Sequence, residues 1–297
     1  MRPLRYELCD VFTDRALTGN ALAVFTDANG IDDITMQALA REMNLSESAF
    51  VLQPSTADAD ARVRIFTPTM ELPFAGHPTL GTAFVLAKAK REGAVIRLET
   101  GRGIVTVRVA PSETAVNFGW MTQPIPIRQP FDATDELLAA LHVSRSTLPI
   151  ELYDNGPRYV LIQLETPDAV AGLAPDLSLL AAFGSLAFVV FARQAANWKV
   201  RVFAPGEGIL EDPATGAAAG ALAVHLCLHG RISFGDEVII EQGAEIARPS
   251  KLHARAVGSK ERLDLVEVGG NGIVVARGEF DRSLEILKPL GAFSRGG

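Results

Sequence analysis

The chain has 297 residues, 48% of them hydrophobic and 21% charged, with a formal net charge of −7. That is an ordinary globular balance, enough for two cores of usual size, and an acidic chain is a poor partner for nucleic acid or an anionic membrane. A small anionic substrate stays open, because one pocket can be locally positive on a negative protein.

Strand and helix signals alternate along the chain. Residues 6–12 read as a strand, and 33–43 as a short helix capped by Asp32 or Asp33. Strands are expected over 48–53 and 61–67. Residues 78–91 read as a helix that is apolar on nearly every side, through Leu80, Ala83, Phe84, Val85, Leu86 and Ala87. Such a helix is buried all round. Strand signals follow at 95–100, 104–109 and 115–121. The order then starts again. Residues 159–164 read as a strand, 176–182 as a helix, and 186–192 and 199–204 as strands. Residues 213–228 form a second helix without a polar side, followed by strands at 237–241, 254–257, 263–268 and 273–276.

The repetition is also in the letters. Val63-Arg64-Ile65-Phe66-Thr67-Pro68 matches Val200-Arg201-Val202-Phe203-Ala204-Pro205 at four of six positions. Shortly after, His77-Pro78-Thr79-Leu80-Gly81-Thr82-Ala83 aligns with Asp212-Pro213-Ala214-Thr215-Gly216-Ala217-Ala218. The period is too long for a solenoid, so the chain reads as a duplicated domain. An α+β fold follows, in which each half is a curved, mostly antiparallel sheet wrapped around one central helix. The expected domains are 1–122, together with the tail 281–297, and 123–280. Residues 123–130, with Pro124, Pro126 and Pro130, read as the linker.

Three segments can carry chemistry. Glu47, in Asn44-Leu45-Ser46-Glu47-Ser48, precedes the apolar run Ala49-Phe50-Val51-Leu52. A carboxylate beside an apolar wall can have a raised pKa and serve as general acid or base; the plain alternative is a solvated loop residue. In Phe74-Ala75-Gly76-His77-Pro78-Thr79, Pro78 suits the first helical position, Gly76 lets a ligand near the backbone, and helix-start N–H groups attract an anion. His77 is either a proton carrier or a cap. In Glu211-Asp212-Pro213-Ala214-Thr215-Gly216, Asp212 takes the cap slot and Pro213 the first turn. The repeat sets Asp212 opposite His77, so both helix starts can meet in one cleft.

Other features carry less. Ser46, His77 and Asp212 do not make a hydrolase triad, for want of a G-x-S-x-G elbow. The glycine turns at 101–103 and 269–272 open no helix, so no dinucleotide site is expected. Cys9 and Cys227 form no CxxC pair, which suits a reduced, cytoplasmic chain. His142, His225, His229 and His253 lack metal-ligand partners at useful spacing, and no metal is expected. Residues 1–10 do not read as a signal peptide, and no apolar run approaches the ~18 residues of a membrane span.

Together, Thr18-Gly19-Asn20-Ala21-Leu22-Ala23-Val24, Asn44-Leu45-Ser46-Glu47, Phe74-Ala75-Gly76-His77-Pro78-Thr79 and Glu211-Asp212-Pro213-Ala214-Thr215-Gly216 resemble the phenazine-biosynthesis PhzF-like family. The resemblance implies a diaminopimelate epimerase-like fold, a homodimer and no cofactor. It implies that Glu47 is the catalytic acid/base and that Asn20, Ser46, Gly76, His77, Asp212, Gly216 and Ala217 meet the substrate. The family's best-known reaction isomerises trans-2,3-dihydro-3-hydroxyanthranilate. Two positions depart from the pattern: Ala217 stands where the family often has serine, and Ala21 where it usually has proline. A hydroxyl lost from a polar pocket costs ~1–3 kcal/mol for a substrate that used it. An isomerase acting on a small cyclic carboxylic acid is the expected function. The competing readings are an epimerase or racemase, and a binding protein that keeps the cleft without turnover.

Overall fold

The computed structural model describes residues 3–87 and 92–281. The first half runs β1 (Leu4–Val11), β2 (Asn20–Phe25), α1 (Asp33–Met43), β3 (Glu47–Leu52), β4 (Ala61–Phe66), β5 (Glu71–Leu72), α2 (Gly76–Ala87), β6 (Ala94–Thr100), β7 (Gly103–Val109) and β8 (Val116–Gln123). The second runs β9 (Ile127–Pro130), α3 (Thr134–Ala140), β10 (Glu151–Asp154), β11 (Arg158–Gln163), α4 (Pro167–Ala171), α5 (Leu177–Ala181), β12 (Ala187–Gln194), β13 (Asn197–Ala204), β14 (Ile209–Asp212), α6 (Gly216–Leu228), β15 (Val238–Gln242), β16 (Ser250–Gly258) and β17 (Leu263–Phe280).

The sheet is mixed and closes on itself. Pairing runs β1–β2–β3–β4–β6–β7–β8, then from β8 to β17, and from β17 back to β1. The second half follows the same rule through β10–β11–β12–β13–β15–β16–β17. Here β8 pairs with β17, and β9, which continues the path of β8, pairs with β10. The parallel steps fall at matching places: β2–β3 and β4–β6 in one half, β11–β12 and β13–β15 in the other. The duplication read from the letters is therefore a duplication of strand order.

Each half lends strand to the other. β17 begins beside β16, and its later residues, Gly272 to Phe280, pair with β1 of the first half. β8 leads into β9, which joins the second half. Residues 127–130, expected as linker, are thus strand; prolines at 124 and 126 flank the bend while the strand pairs along β10. The expected tail, 281–297, lies beyond Asp281 outside the described residues.

Strand periodicity explains the layers. In β2, Leu22 and Val24 join the cluster around α2, while Ala23 and Phe25 join the cluster under α1. In β12, Ala187, Val189 and Phe191 face inward, while Phe188, Val190 and Ala192 pack under α3, α4 and α5. Both faces are covered, so these strands read as unbroken apolar runs. Helix α2 touches β1, β2, β3, β6, β7, β8 and β17, and all its residues but Leu86 are buried. Helix α6 is buried from Gly216 to Cys227. Residues 88–91, the expected end of the first apolar helix, lie outside the described residues.

Seven elements escaped the sequence reading: β2, β5, β9, α3, β10, α4 and β14. β2 lies within the 18–24 motif, which enters that reading only as part of the family resemblance. β5, β9, β10 and β14 are short, and α3 has no side-chain cap. Among the described residues, no helix is long and apolar enough to cross a membrane.

Glu267 on β17 ties neighbouring strands. It is 1% exposed and accepts from Arg255 Nε on β16 at 2.6 Å and from Arg108 on β7. Removing it leaves two guanidinium groups over an apolar floor. Glu267→Ala is expected to lower unfolding free energy by about 2–3 kcal/mol in urea titration, while Glu267→Gln loses less.

Candidate active site

The chain reaches the site by local rules. Asp32 caps α1 by accepting from Thr35 N at 2.7 Å. Asn44 ends that helix with φ +49°, a left-handed conformation that asparagine tolerates. Two residues later the chain enters β3 at Glu47, beside Leu22 of β2. Asn20 opens β2. Glu47 and Asn20 thus stand at the starts of two parallel neighbours.

From the other side come the helix starts. α2 begins at Gly76 rather than Pro78, which places His77 inside its first turn. α6 begins at Gly216 with Thr215 in the cap position. The expected capping role of Asp212 is not seen: Asp212 ends β14, and Pro213 lies before the helix. The reason is the β14 pairing, since Asp212 faces Val202 of β13 and stays in the ladder. Its side chain instead accepts from the Thr215 hydroxyl at 2.6 Å.

The two helix starts meet head to head. A Cβ on Gly76 would stand 2.5 Å from Ala217 N and 2.7 Å from Gly216 C. Backbone cannot yield there, so glycine at 76 is a requirement of contact. The leading N–H groups of a helix have no partner within it, and both sets are brought to one place.

The polar side chains converge on this junction. Asn20 Nδ2 donates to Asp212 Oδ1 at 2.8 Å and to Ala214 O at 3.0 Å, and it lies 3.3 Å from His77 Nδ1. Ser46 Oγ donates to Asp212 Oδ1 at 3.1 Å. Gln242 Nε2 holds the Asp212 carbonyl at 2.7 Å. Asp212 is therefore pinned on both carboxylate oxygens. Glu47 is different. Its Oε2 lies 3.4 Å from His77 Nδ1 and has no hydrogen-bond partner among the described residues. His77 Nε2 also has none. The amide of Asn20 has two hydrogens for three acceptors, and the His77 contact is the longest. The imidazole is thus free to hold its proton on either nitrogen.

Burial sets the charges. Glu47 is 8% exposed, and desolvation, with Asp212 and Glu207 nearby, pushes its pKa well above the usual carboxylate range. Burial pushes Asp212 up too, against hydrogen bonds from Thr215, Ser46 and Asn20 that pull it down. Desolvation brings His77 down to about 3, so it is neutral. Glu207 is raised by burial and by Asp212.

The cleft between these groups spans about 450 Å³, with only about 30 Å³ open to the centre of a water-sized sphere. That admits a water or two. Glu47, His77, Asp212, Gly76, Gly216 and Ala217 line it. Asn20 and Ser46 stand behind the wall and hold Asp212. Sequence reading missed Glu207, Tyr159 and Ile209, which also line it. Glu207 follows the repeated Phe-x-Pro turn, which was the one available signal. None of the lining residues is Lys or Arg, so the helix starts are the anion-attracting groups. The larger hollow walled by Arg5, Tyr6, Glu7 and Arg277 is a surface recess, and its buried carboxylate, Glu7, already faces Arg277 at 3.5 Å.

The sequence profile of the phenazine biosynthesis-like proteins, PhzC-PhzF, matches residues 9–278. Trans-2,3-dihydro-3-hydroxyanthranilate isomerase of Pseudomonas aeruginosa is 48% identical over 274 residues, covering 92% of this chain and 98% of that one. The solved structure of a predicted epimerase from Pseudomonas aeruginosa superimposes with a TM-score of 0.80 at 32% identity, covering 93% of this chain and 99% of that one. A PhzF-family phenazine biosynthesis protein from Bacillus anthracis gives 0.81 at 24% identity, over 95% and 100% of the two chains, a likeness of fold alone.

A buried acid with a raised pKa costs stability when it ionises. Unfolded, Glu47 titrates near the ordinary 4.5; folded, well above it. Between those values the folded state binds more protons, so this group's stabilising share is present at low pH and lost as pH rises through the window. Glu47→Gln removes that loss. The variant is expected to gain stability over wild type as pH rises, in paired denaturant titrations, with the gap closing toward about pH 4.5. A gap that does not change with pH would show that Glu47 is not desolvated.

Proposed function

The chain belongs to the phenazine biosynthesis-like PhzC-PhzF family and is an isomerase, and on that premise we propose that it shifts a double bond in a small cyclic carboxylic acid by moving one proton through Glu47. The observation that carries this reading is a partnerless, buried carboxylate set among the starts of two helices. Glu47 in its ionised form takes a proton from an activated C–H carbon, and the electron pair moves into the ring π-system. The same carboxyl then returns a proton at a carbon further along. Atoms and charge balance within the substrate, so no cofactor is required. A raised pKa makes the ionised carboxylate a stronger base and keeps the carboxyl protonated until the return step.

The helix-start N–H groups at Gly76–His77 and Gly216–Ala217 hold the substrate carboxylate and the charge that builds up during transfer. His77, neutral and 3.4 Å from Glu47, can relay or donate. Asp212, committed to Asn20, Ser46 and Thr215, orients the pocket. We place these residues in two related domains of the diaminopimelate epimerase-like plan, each with a central helix, whose closure on the substrate excludes water. The Pseudomonas aeruginosa relative is named for trans-2,3-dihydro-3-hydroxyanthranilate, which makes that acid the first candidate, although Ala217 offers no hydroxyl to it.

The test is turnover of that acid, followed by NMR in deuterated water. Wild type is expected to shift the double bond and to place deuterium at the newly protonated carbon when the carboxyl exchanges with solvent. Glu47→Gln is expected to cut kcat by at least about a thousandfold. Near-wild-type turnover by Glu47→Gln would remove this residue from the chemistry. Inversion at one carbon without a moved double bond would select epimerisation instead.

A further inference from the structure

The second apolar helix carries something its N-terminal chemistry does not use. His225 and His229 lie four residues apart near its C-terminal end, so both rings share one face, with centroids 4.5 Å apart. Spacing alone offers no third ligand, because no glutamate follows His225. The fold supplies one from elsewhere: β10 brings Glu151 across, with Oε2 at 3.3 Å from His225 Nδ1 and 3.0 Å from His229 Nε2. One ligating atom from each of the three residues lies within 4.8 Å of the others.

We propose that Glu151, His225 and His229 bind one divalent transition-metal ion, with zinc the best match. Two imidazole nitrogens and one carboxylate oxygen, with a fourth position for water, are a recurrent zinc set. Metal–ligand bonds of about 2.0–2.1 Å in a tetrahedron imply ligand–ligand edges of about 3.3 Å. The two separations from Glu151 Oε2 are already close to that value, and the edge between the two imidazole nitrogens lies within 4.8 Å.

The surroundings favour the site in three ways. His225 is fully buried, while the side chains of His229 and Glu151 are 18% and 14% exposed, which gives an entry path. The Tyr153 hydroxyl donates to Glu151 Oε2 at 3.0 Å, an outer contact that orients the carboxylate ligand. The end of α6 is the negative end of its dipole, where a cation is stabilised. Arg128 Nε opposes the ion, yet it sits 3.7 Å from the other carboxylate oxygen, Oε1.

The ion would clamp β10 to α6. Just after β10, Asn155 Nδ2 donates to Ala217 O at 3.0 Å, at the start of the same helix. The clamp therefore fixes the strand that leads to the cleft wall, from the far end of the helix. This inference stands apart from the isomerase reading and does not use its chemistry.

The experiment is isothermal titration of zinc chloride into the full chain after treatment with EDTA and dialysis. One equivalent per chain is expected, with affinity lowered at least about tenfold in His229→Ala and in Glu151→Gln. Cobalt(II) in place of zinc should give the strong visible absorption of a four-coordinate site. Ring-nitrogen NMR of wild type keeps the test decisive if a variant fails to fold: one equivalent of zinc should shift two imidazoles, His225 and His229. No stoichiometric uptake would overturn the proposal. So would unchanged affinity in both variants, or shifts confined to His77, His142 or His253.

Discussion

The contact between the starts of α2 and α6 is the constraint on which the site depends. Both helices are apolar on every side and buried, so neither lies on the surface. Their N-termini meet. Gly76 sits against Gly216 and Ala217 with no room for a Cβ. That closeness gathers backbone donors from two chain segments into one spot. It also leaves those donors dry, which is where oriented dipoles act most strongly on charge.

The same dryness sets the chemistry of the acids. Glu47, Asp212 and Glu207 share a cleft whose lining holds no cationic side chain. Burial and repulsion between carboxylates raise the pKa of all three, and the acid with fewest hydrogen bonds keeps its proton most readily. Asp212 has three donors and Glu47 has none of good geometry. The division of labour we propose follows: a pinned carboxylate that shapes the pocket, and a loose one that moves protons. The fold carries that unpaired group at a cost in stability, as functional sites commonly do.

Much of this was legible in the chain. The apolar runs announced two buried helices, and the matched Val-Arg-x-Phe-x-Pro strands announced a repeated strand order. Three segments, far apart in sequence, pointed to one cleft and line it, while Asn20 of a further motif stands behind the wall. What escaped was what pairing decides. Asp212 looked like a cap because Asp-Pro opens many helices, but the β14 ladder holds it back in strand. Residues 123–130 looked like linker because of Pro124, Pro126 and Pro130, yet 127–130 pair along β10. The exchange of β9 and the later half of β17 between halves has no local signature, since strand partners are set by closure of the sheet. The Glu151–His225–His229 cluster was hidden for the same reason. Two ligands lie on one helix turn, and the third comes from a strand more than seventy residues earlier.

The central claim is that Glu47 is a desolvated acid at the meeting point of the two helices. The direct measurement is the titration of its own carboxyl carbon. Protein carrying ¹³C-labelled glutamate would be followed by NMR against pH, with Glu47→Gln identifying the resonance. The account predicts that this one carboxyl stays protonated well above the range in which the exposed glutamates titrate. A resonance that moves with those exposed glutamates, near the ordinary value, would contradict it.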